Sequence, residues 1–330
     1  MGTATVTDKD TDSRAGRWVR YVLTRYALVL VWIVMAIIFS LLLPDLFPTA
    51  GAFQAIFGSQ SPLIFLGLAV VMLLVVGEFD LSFAANFGLS ATLFPSLVIL
   101  YGWSTWLAVV ASILCSVLVG LINAIFAVKV GLNSVVVTLA SASLVEGLTL
   151  FVAQETSVSG LDPSLSAVTL TPFLGLPLIF WYGLALTLIF AFVLTATPVG
   201  RHMLFVGSNR EVARLAGIDV DRVRFGAYLA SGLMCGIAGV IVSAGLGGYD
   251  PASSNMLLLP TFAAVFLGTA VVTPGRFNPI GMFIAAYFLL TGVVGLQLMG
   301  FAGWVTNVFY GVVLLIAVTV SHVARRRIRS

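Results

Sequence analysis

The sequence holds few residues that could do acid–base or metal chemistry. Its 330 residues include 13 Asp or Glu, two His and two Cys. Cys115 and Cys235 lie in apolar segments, and neither His202 nor His322 has a Cys, Asp or Glu at metal-ligand spacing. A membrane enzyme would need a convergent set of His, carboxylate or Ser and Lys side chains. We therefore predict no metal site, no disulfide framework and no catalytic centre in this chain.

A pair of carboxylates, Glu78 and Asp80, interrupts a long apolar run. One interpretation is a short cytoplasmic hairpin whose acids are solvated. The other is a discontinuous helix near residues 77–100 whose polar groups line a cavity, because broken backbone at membrane depth is tolerated only where it faces water or protein. A polar stripe follows at helical spacing and favours this second interpretation: Ser82, Asn86 and Ser90. Asp80, Ser82 and Asn86 are therefore candidate cavity-lining residues.

Glu146 is the one ionisable residue of the apolar segment 134–153. An ionisable residue in such a segment usually faces the interior of a helix bundle or a pathway through it. A proton relay, a contact to a substrate and a structural hydrogen bond to a neighbouring helix all remain open. The same segment is rich in residues that allow close helix packing: Ser134, Thr138, Ser141, Ala142, Ser143 and Gly147.

The composition indicates that these polar residues lie inside a membrane protein. Hydrophobic residues make up 60% of the chain and charged residues only 9%, whereas a soluble domain has about a quarter charged residues. A membrane-spanning helix needs roughly 20 mostly apolar residues. We predict an all-α polytopic membrane protein with about ten transmembrane helices, at 26–43, 61–77, 81–100, 105–128, 134–153, 174–196, 225–246, 257–273, 279–298 and 303–322.

The basic residues predict the orientation of these helices, because cytoplasmic loops hold most Lys and Arg. With the N-terminus inside and alternating spans, every Lys and Arg falls on the cytoplasmic side. Adding or removing one span would destroy this partition, so we predict that both termini are cytoplasmic. The sixteen basic residues are Lys9, Arg14, Arg17, Arg20, Arg25, Lys129, Arg201, Arg210, Arg214, Arg222, Arg224, Arg276, Arg325, Arg326, Arg327 and Arg329.

The spans divide the chain into a cytoplasmic N-terminal tail (1–25), one transmembrane domain (26–322) and a basic C-terminal tail (323–330). The tail at the N-terminus lacks the features of a cleaved signal peptide. The two longer outside loops, 44–60 and 154–173, are rich in turn-forming residues. Neither is large enough to form a folded binding domain, so any extracellular recognition module must be another polypeptide.

The long cytoplasmic loop at 197–225 carries the signals of a short helix. Ser208 and Glu211 form a capping-box pattern that predicts a helix start, and Gly217 is typical of a helix end. The segment 219–221 (Asp-Val-Asp) then precedes the next span. A short capped helix of mixed charge suits docking to a cytoplasmic partner, whereas a plain basic loop would only set the topology. The residues alone do not decide between these alternatives.

This loop resembles the coupling-loop signature of ATP-binding-cassette (ABC) importer permeases of the ribose, xylose and simple-sugar type. Its G-R … G-x-N … A … L-x-G-I pattern is matched by Gly200, Arg201, Gly207, Asn209, Ala213, Leu215, Gly217 and Ile218. Two further family segments occur in order and are matched at Asp80, Leu81, Ser82, Thr138, Leu139 and Gly147. The resemblance covers about residues 60–320.

Three segments depart from the family pattern. Phe83 and Ala84 replace the usual small residues after Ser82, and the late glycine-rich loop keeps Gly275, Arg276 and Gly281 but loses much of its glycine. Asn133 and Ser134 stand where Pro is common. These departures bear on the substrate more than on the class of transporter.

The resemblance implies a permease of the bacterial inner membrane that forms the translocation pathway for a monosaccharide or polyol. The partners that it implies are a second permease copy (homodimer or close paralogue), cytoplasmic ABC ATPase subunits and an extracytoplasmic binding protein. The chain is also expected to contact membrane lipid and to bind no nucleic acid. The pathway candidates are Asp80, Ser82, Asn86 and Glu146. The candidates for coupling to the ATPase are Gly200, Arg201, Gly207, Asn209, Glu211, Ala213, Arg214 and Gly217.

The chain itself is expected to bind no cofactor and to catalyse no reaction. A Walker A motif needs Gly-Lys followed by Ser or Thr, and the only lysines, Lys9 and Lys129, follow Asp and Val. ATP and Mg are therefore expected on the separate ATPase. The closest alternative is an ABC permease for branched-chain amino acids, urea or nucleosides. An ion-coupled secondary transporter would need ionisable residues in several spans, and only Glu146 clearly qualifies.

Overall fold

The computed structural model describes residues 14–59 and 62–329, with side chains described from 25 to 58 and from 62 to 319. The described part is mainly helical, with four two-residue strands and the turns that connect these elements. Its α-helices are α1 (Arg14–Leu42), α2 (Ala50–Gln54), α3 (Pro62–Val75), α4 (Phe83–Ile99), α5 (Thr105–Ala124), α6 (Ser134–Val152), α7 (Ala167–Leu170), α8 (Leu178–Ala196), α9 (Pro198–Ser208), α10 (Arg210–Leu215), α11 (Val220–Leu246), α12 (Leu258–Gly268), α13 (Pro279–Leu298) and α14 (Trp304–Arg329).

An apolar helix lies at each of the ten predicted spans, which confirms an all-α polytopic membrane protein. Within the described residues, eight helical segments are long and apolar enough to cross a membrane. Two more, Phe83–Ile99 and Trp304–Thr319, are apolar but shorter. Helix α1 begins inside the predicted N-terminal tail, and α14 continues to Arg329. Residues 1–13 of that tail lie outside the described residues, and the division into tails and one domain stays a prediction.

Helix α3 forms the centre of the bundle. Twelve of its fourteen residues are buried, because α11, α12 and α13 pack around it. The surrounding helices α1, α5, α6 and α8 each expose a row of large apolar side chains. Such an exposed apolar surface is stable only in contact with lipid or another protein.

Helix α11 packs against α4 and α5 through glycines. A side chain at Gly232 would meet the Ser116 carbonyl oxygen of α5 at 2.8 Å. A side chain at Gly239 would meet the Ala91 nitrogen of α4 at 2.6 Å. Because no side chain separates them, the helix backbones approach closely, as is common in membrane bundles.

The predicted break before the third span is confirmed. Helix α3 ends at Val75 and α4 begins at Phe83, with non-helical residues 76–82 between them. Gly77 allows the turn because its φ of 76° is in the left-handed region that favours glycine. From Phe83 the helix is continuous to Ile99.

The two longer outside loops contain short elements and no folded domain within the described residues. In the first loop, α2 is followed by a π-helix at Ala55–Ser59. In the second, strand β1 (Val158–Ser159) pairs with strand β4 (Gly248–Tyr249) directly after α11. Strands β2 (Pro172–Phe173) and β3 (Leu176–Pro177) form a small hairpin before α8.

Candidate functional site

Glu78 is the centre of a buried charge cluster at the end of the bundle where the basic loops lie. Its side chain is only 2% exposed. Glu78 Oε1 accepts hydrogen bonds from Arg210 Nη2 at 2.6 Å and from Arg224 Nε at 2.6 Å. Glu78 Oε2 accepts one from the Tyr228 hydroxyl at 3.1 Å. Two guanidinium groups and a hydroxyl thus offset the desolvation of one carboxylate.

The segment is a short connection between α3 and α4, as in the hairpin interpretation, but the expectation that its acids are solvated is wrong. Both Glu78 and Asp80 are buried, because α11 and the 197–225 loop cover the break between α3 and α4. Arg210 and Arg224, which the sequence analysis used only to predict orientation, supply the charges that make this burial possible. No sequence signal connects them to Glu78, since the three residues are far apart in the chain.

The 197–225 loop also contacts the backbone of the connection between α3 and α4. Arg210 Nη2 donates a second hydrogen bond to the Gly77 carbonyl oxygen at 2.9 Å. Gly207 lies directly against the Val75 carbonyl, so that a side chain at this position would overlap it. Arg224 Nη2 also donates to the Ala127 carbonyl oxygen at 3.1 Å, which attaches the end of the α5 segment.

The predicted short helix is present as α10, but its cap is Asn209 rather than Ser208. Asn209 Oδ1 accepts from the backbone amides of Glu211 at 3.0 Å and Val212 at 3.2 Å. Ser208 is instead the last residue of α9. Ser and Asn are equally good N-caps, and the Glu three residues after Ser208 favoured the wrong one. Gly217 ends the helix with a φ of 79°, as predicted.

The exposed side chains of α10 are those predicted to dock a partner. Glu211 is 81% exposed and Arg214 is 53% exposed. Arg214 lies 3.6 Å from both Glu211 and Asp221, so the surface carries loosely paired charges of both signs. Ala213 is fully buried and fixes the opposite side of the helix against the protein.

The remaining coupling candidates lie in α9. Thr197 Oγ1 accepts from the Gly200 amide at 3.2 Å and caps this helix. Gly200 packs against the backbone of Leu194, which makes α9 fold back on the end of α8. Arg201 is exposed. The structure thus places all eight coupling candidates in the segment from α9 to the turn after α10, and their role in coupling stays a prediction.

Helix α11 begins five residues earlier than predicted. Asp219 caps its start, with Asp219 Oδ1 accepting from the Arg222 amide at 3.0 Å. The segment 219–221, which the sequence analysis placed before the span, is therefore the start of the helix. This helix fixes the positions of Arg224 and Tyr228, which lie about one and two turns after its start.

Asp80, Ser82 and Asn86 form part of a buried polar chain between α4 and α5. Asp80 Oδ1 accepts from the Ser82 hydroxyl at 2.6 Å, and Ser82 Oγ accepts from Asn123 Nδ2 at 2.8 Å. One turn on, Asn86 Oδ1 accepts from the Ser116 hydroxyl at 2.8 Å. The structure brings the three candidates together in packed helices.

The polar stripe continues along α4 toward α11. The Ser116 hydroxyl also lies 2.8 Å from the Gly232 carbonyl oxygen, so that its one hydrogen is shared between this oxygen and Asn86 Oδ1. Ser90 Oγ donates to the Gly236 carbonyl oxygen at 2.8 Å. The stripe therefore faces neighbouring helices, and none of its residues borders one of the three main cavities within the described residues. Its assignment to the translocation pathway stays a prediction.

Glu146 is half-buried on α6 and hydrogen-bonds across to the segment after β4. Its Oε1 accepts from Asn255 Nδ2 at 2.7 Å. Asn255 lies in a 3-10 helix, Pro251–Leu257, that precedes α12. The hydrogen bond to a neighbouring element, one of the possibilities left open by the sequence, is thus confirmed, and Asn255 was not foreseen as its partner.

The surface of α6 around Glu146 holds one hydroxyl, that of Ser143, among small and apolar residues, with Leu144 and Leu148 exposed beside it. Val136, Ala140, Ser143 and Gly147 are exposed on it, and the space in front of Gly147 is open. We call this surface, together with Glu146 and the exposed Asn255, the α6 face. The opposite side of the helix packs on α4, where Thr138 Oγ1 accepts from the Leu81 amide at 3.0 Å.

The comparison with known proteins agrees with this arrangement. Residues 53–318 match the family described as branched-chain amino acid transport system / permease component. No solved structure matches the chain. Within the residues described, no group of three or more His, Cys, Asp or Glu side chains is placed to hold a metal ion.

Several named permeases are similar over most of the chain. The L-arabinose ABC transporter permease protein AraH of Azospirillum brasilense is 27% identical over 318 residues, covering 96% of this chain and 93% of that protein. The autoinducer 2 import system permease protein LsrC of Salmonella typhimurium is 26% identical, covering 88% and 84%. The L-arabinose transport system permease protein AraH of Escherichia coli is 31% identical, covering 74% of each. The resemblance to ABC importer permeases is thereby confirmed. This chain belongs to the branched-chain amino acid transport system / permease component family, as a multi-pass protein of the bacterial inner membrane.

Proposed function

We propose that this protein is the permease subunit of an ATP-driven importer for a monosaccharide or polyol. The relatives named above include two L-arabinose permeases and an autoinducer 2 permease. The observation that carries the mechanism is the shared carboxylate of Glu78. It joins the 197–225 loop, the break after α3 and the start of α11 in one cluster.

The cluster explains how a cytoplasmic ATPase would act on the membrane helices. The exposed charges of α10 would contact an ATPase that binds ATP and Mg, since this chain carries no Walker A motif. Arg210, the first residue of α10, is bonded to Glu78. A displacement of α10 therefore moves Glu78 and the start of α4, because buried ion pairs resist separation.

We propose that the α6 face lines the translocation pathway, opposite a second permease copy. Glu146 lies six residues before the end of α6, about 9 Å along the helix axis. A carboxylate facing hydrocarbon at that depth is costly, and the Asn255 amide neutralises none of its charge. The rows of large side chains that α1, α5 and α8 expose are apolar. The α6 face is thus the surface that suits contact with water or a polar substrate.

The hydrogen-bonding groups of this face fit a sugar. A carboxylate and an amide in contact accept and donate hydrogen bonds to adjacent hydroxyl groups. Ser143 adds a hydroxyl one turn away, and no cation on this face is placed to bind a carboxylate of an amino acid within the described residues. This chemistry favours a monosaccharide or polyol over an amino acid.

Asp80, Ser82 and Asn86 stay candidate pathway residues for a second conformation. They lie directly behind α6, on the helix that begins at the break. Alternating access requires that some packed interfaces open in turn. The interface of α4 with α5 is held by neutral hydroxyl and amide groups, which can exchange their partners for a sugar or for water.

The experiment that tests this function is ATP hydrolysis by the permease reconstituted with its ATPase. Binding proteins loaded with pentoses, hexoses, polyols or branched-chain amino acids would be added separately. Stimulation by a sugar- or polyol-loaded protein is the expected result. Stimulation only by an amino-acid-loaded protein would instead support the second candidate, which the description of the matching family favours. An intact complex that no loaded protein stimulates would contradict import.

A further inference from the structure

A basic cavity lies at the cytoplasmic end of the bundle, separate from the Glu78 cluster and from the α6 face. Its volume is about 550 Å³, and it is enclosed by the last residues of α3, by α9 and by the loop between α12 and α13. Leu74, Leu204, Phe205 and Phe277 form apolar walls. Two guanidinium groups, those of Arg201 and Arg276, complete the lining.

The charge of this cavity is uncompensated. No acidic side chain lines it, and neither Arg201 nor Arg276 forms an ion pair within the described part of the chain. The arginines elsewhere on this side behave differently. Arg210 and Arg224 pair with Glu78, and Arg222 pairs with Asp219 at 3.0 Å. Both arginines are exposed, and two guanidinium groups in one cavity without an acidic neighbour suit an anionic ligand.

The cavity lies beside the lipid-facing helices of the bundle. The Val272 amide, in the α12–α13 loop, donates to the Arg25 carbonyl oxygen of α1 at 3.2 Å. On the other side, α9 follows directly on α8. Both α1 and α8 expose rows of large apolar side chains. The cavity therefore lies beside two apolar helices that would contact lipid, at the end of the bundle that holds the basic loops.

We propose that this cavity binds the headgroup of an anionic phospholipid of the cytoplasmic leaflet. Arg201 and Arg276 would hold the phosphate, since guanidinium groups bind phosphate oxygens in pairs. The apolar walls would contact the glycerol and the first carbons of an acyl chain. Basic pockets between helices on the cytoplasmic side are suited to such lipids. The proposal does not depend on the substrate. Because Arg201 and Gly207 of this cavity are also coupling candidates, the test measures lipid binding by the permease without its ATPase.

The test is lipid-dependent thermal stability of the full-length permease in detergent. Phosphatidylglycerol should raise the unfolding temperature, and phosphatidylcholine with the same acyl chains should not. The Arg276→Gln variant should need about fivefold more phosphatidylglycerol to reach half of the stabilisation. The double variant, Arg201→Gln with Arg276→Gln, should need about 25-fold more, because each basic residue contributes roughly one kcal/mol to the binding of an anionic lipid. Arg222→Gln, which removes an exposed arginine of the same side, is the matched control and should titrate like the unchanged protein.

Three outcomes would overturn the proposal. One is equal stabilisation by both lipids, and another is an unchanged titration in the double glutamine variant. The third is full stabilisation by glycerol phosphate without acyl chains, which would identify a site for a free anion. If the double glutamine variant does not fold, the Arg201→Lys and Arg276→Lys pair replaces it. Because the charges are kept, this pair should respond to phosphatidylglycerol and bind it more weakly than the unchanged protein.

Discussion

The Arg210 guanidinium and the Glu78 carboxylate form a 2.6 Å ion pair across 132 residues of sequence. The pair joins the first residue of α10, on the cytoplasmic surface, to the turn that separates two buried helices. Arg224 binds the same carboxylate oxygen from α11. One carboxylate therefore serves as the meeting point of three chain segments, which makes it the most informative position to change.

Replacing Glu78 by Gln should strongly destabilise the protein. The change leaves two guanidinium groups without a counter-charge, and breaking a buried pair in this way costs on the order of 3–5 kcal/mol. Thermal unfolding in detergent measures the effect. Asp219→Asn is the control, because it neutralises an exposed partner of Arg222 and keeps an N-cap side chain. Equal stability of the two variants would refute a structural role for the cluster.

Gly207→Ala should loosen the 197–225 loop from the bundle. The new methyl group would overlap the Val75 carbonyl, so α9 must move away from the end of α3. We expect lower thermal stability and weaker stimulation of ATP hydrolysis by the loaded binding protein. Gly226→Ala on α11 is the matched control, since no atom lies within 4 Å of the added carbon. A Gly207→Ala protein that couples normally would contradict the tight contact.

Exchanging the charges of α10, by Glu211→Arg together with Arg214→Glu, should abolish co-purification of the ATPase. The exchange keeps the pairing within α10 and reverses the pattern that faces a partner. The amount of permease inserted in the membrane should not change. Arg222→Glu, at a side chain 87% exposed on the same surface, serves as the control. Recovery of the complex from the double variant would remove α10 from the docking surface.

A cysteine at Ser143 should react with a water-soluble maleimide, because the α6 face is proposed to line an aqueous pathway. A cysteine at Leu188 should be protected, since it lies on the apolar exposed surface of α8. The measurement requires a background in which Cys115 and Cys235 are replaced by Ala. A slower reaction at Ser143 in the presence of substrate would add support. Protection at both positions would place the α6 face against lipid or a dry interface.

Asp80→Cys tests the pathway assignment of the polar chain on α4. In the present arrangement the side chain is 7% exposed, so reaction with a small membrane-permeant thiol reagent should be slow. If α4 opens during transport, ATP and substrate should speed the reaction several-fold. Thr149→Cys, at a buried position of α6 that faces away from the charge cluster, is the comparison. Complete inertness of Asp80→Cys during turnover would leave Asp80 with a structural role only.

The sequence was sufficient to predict the spans and the break. Ten apolar stretches and sixteen basic residues determine the helices and their orientation, because both depend on composition over short windows. The carboxylates of Glu78 and Asp80 marked the break because they interrupt an apolar stretch, which is again a matter of composition over a short window. Their burial was not predictable, since it depends on Arg210 and Arg224, which meet Glu78 only through the packing of distant helices.

Local detail was harder to predict where two signals compete. Ser208 and Asn209 are both suitable N-caps, and only the length of α9 decides that Asn209 begins α10. The sequence did not identify Asn255 as a partner of Glu146, because the two residues are 109 positions apart and meet only in the folded protein. The sequence identifies residues that do not fit their surroundings, and the structure supplies the partners that explain them.

The glycine contacts of α11 have a mechanical consequence. Where helix backbones touch, hydroxyl groups reach the carbonyl oxygens of the neighbouring helix. The Ser116 and Ser90 hydroxyls bond in this way to the carbonyl oxygens of Gly232 and Gly236. These two carbonyls lie about one turn apart on α11, so any displacement of α11 along its axis must break both hydrogen bonds.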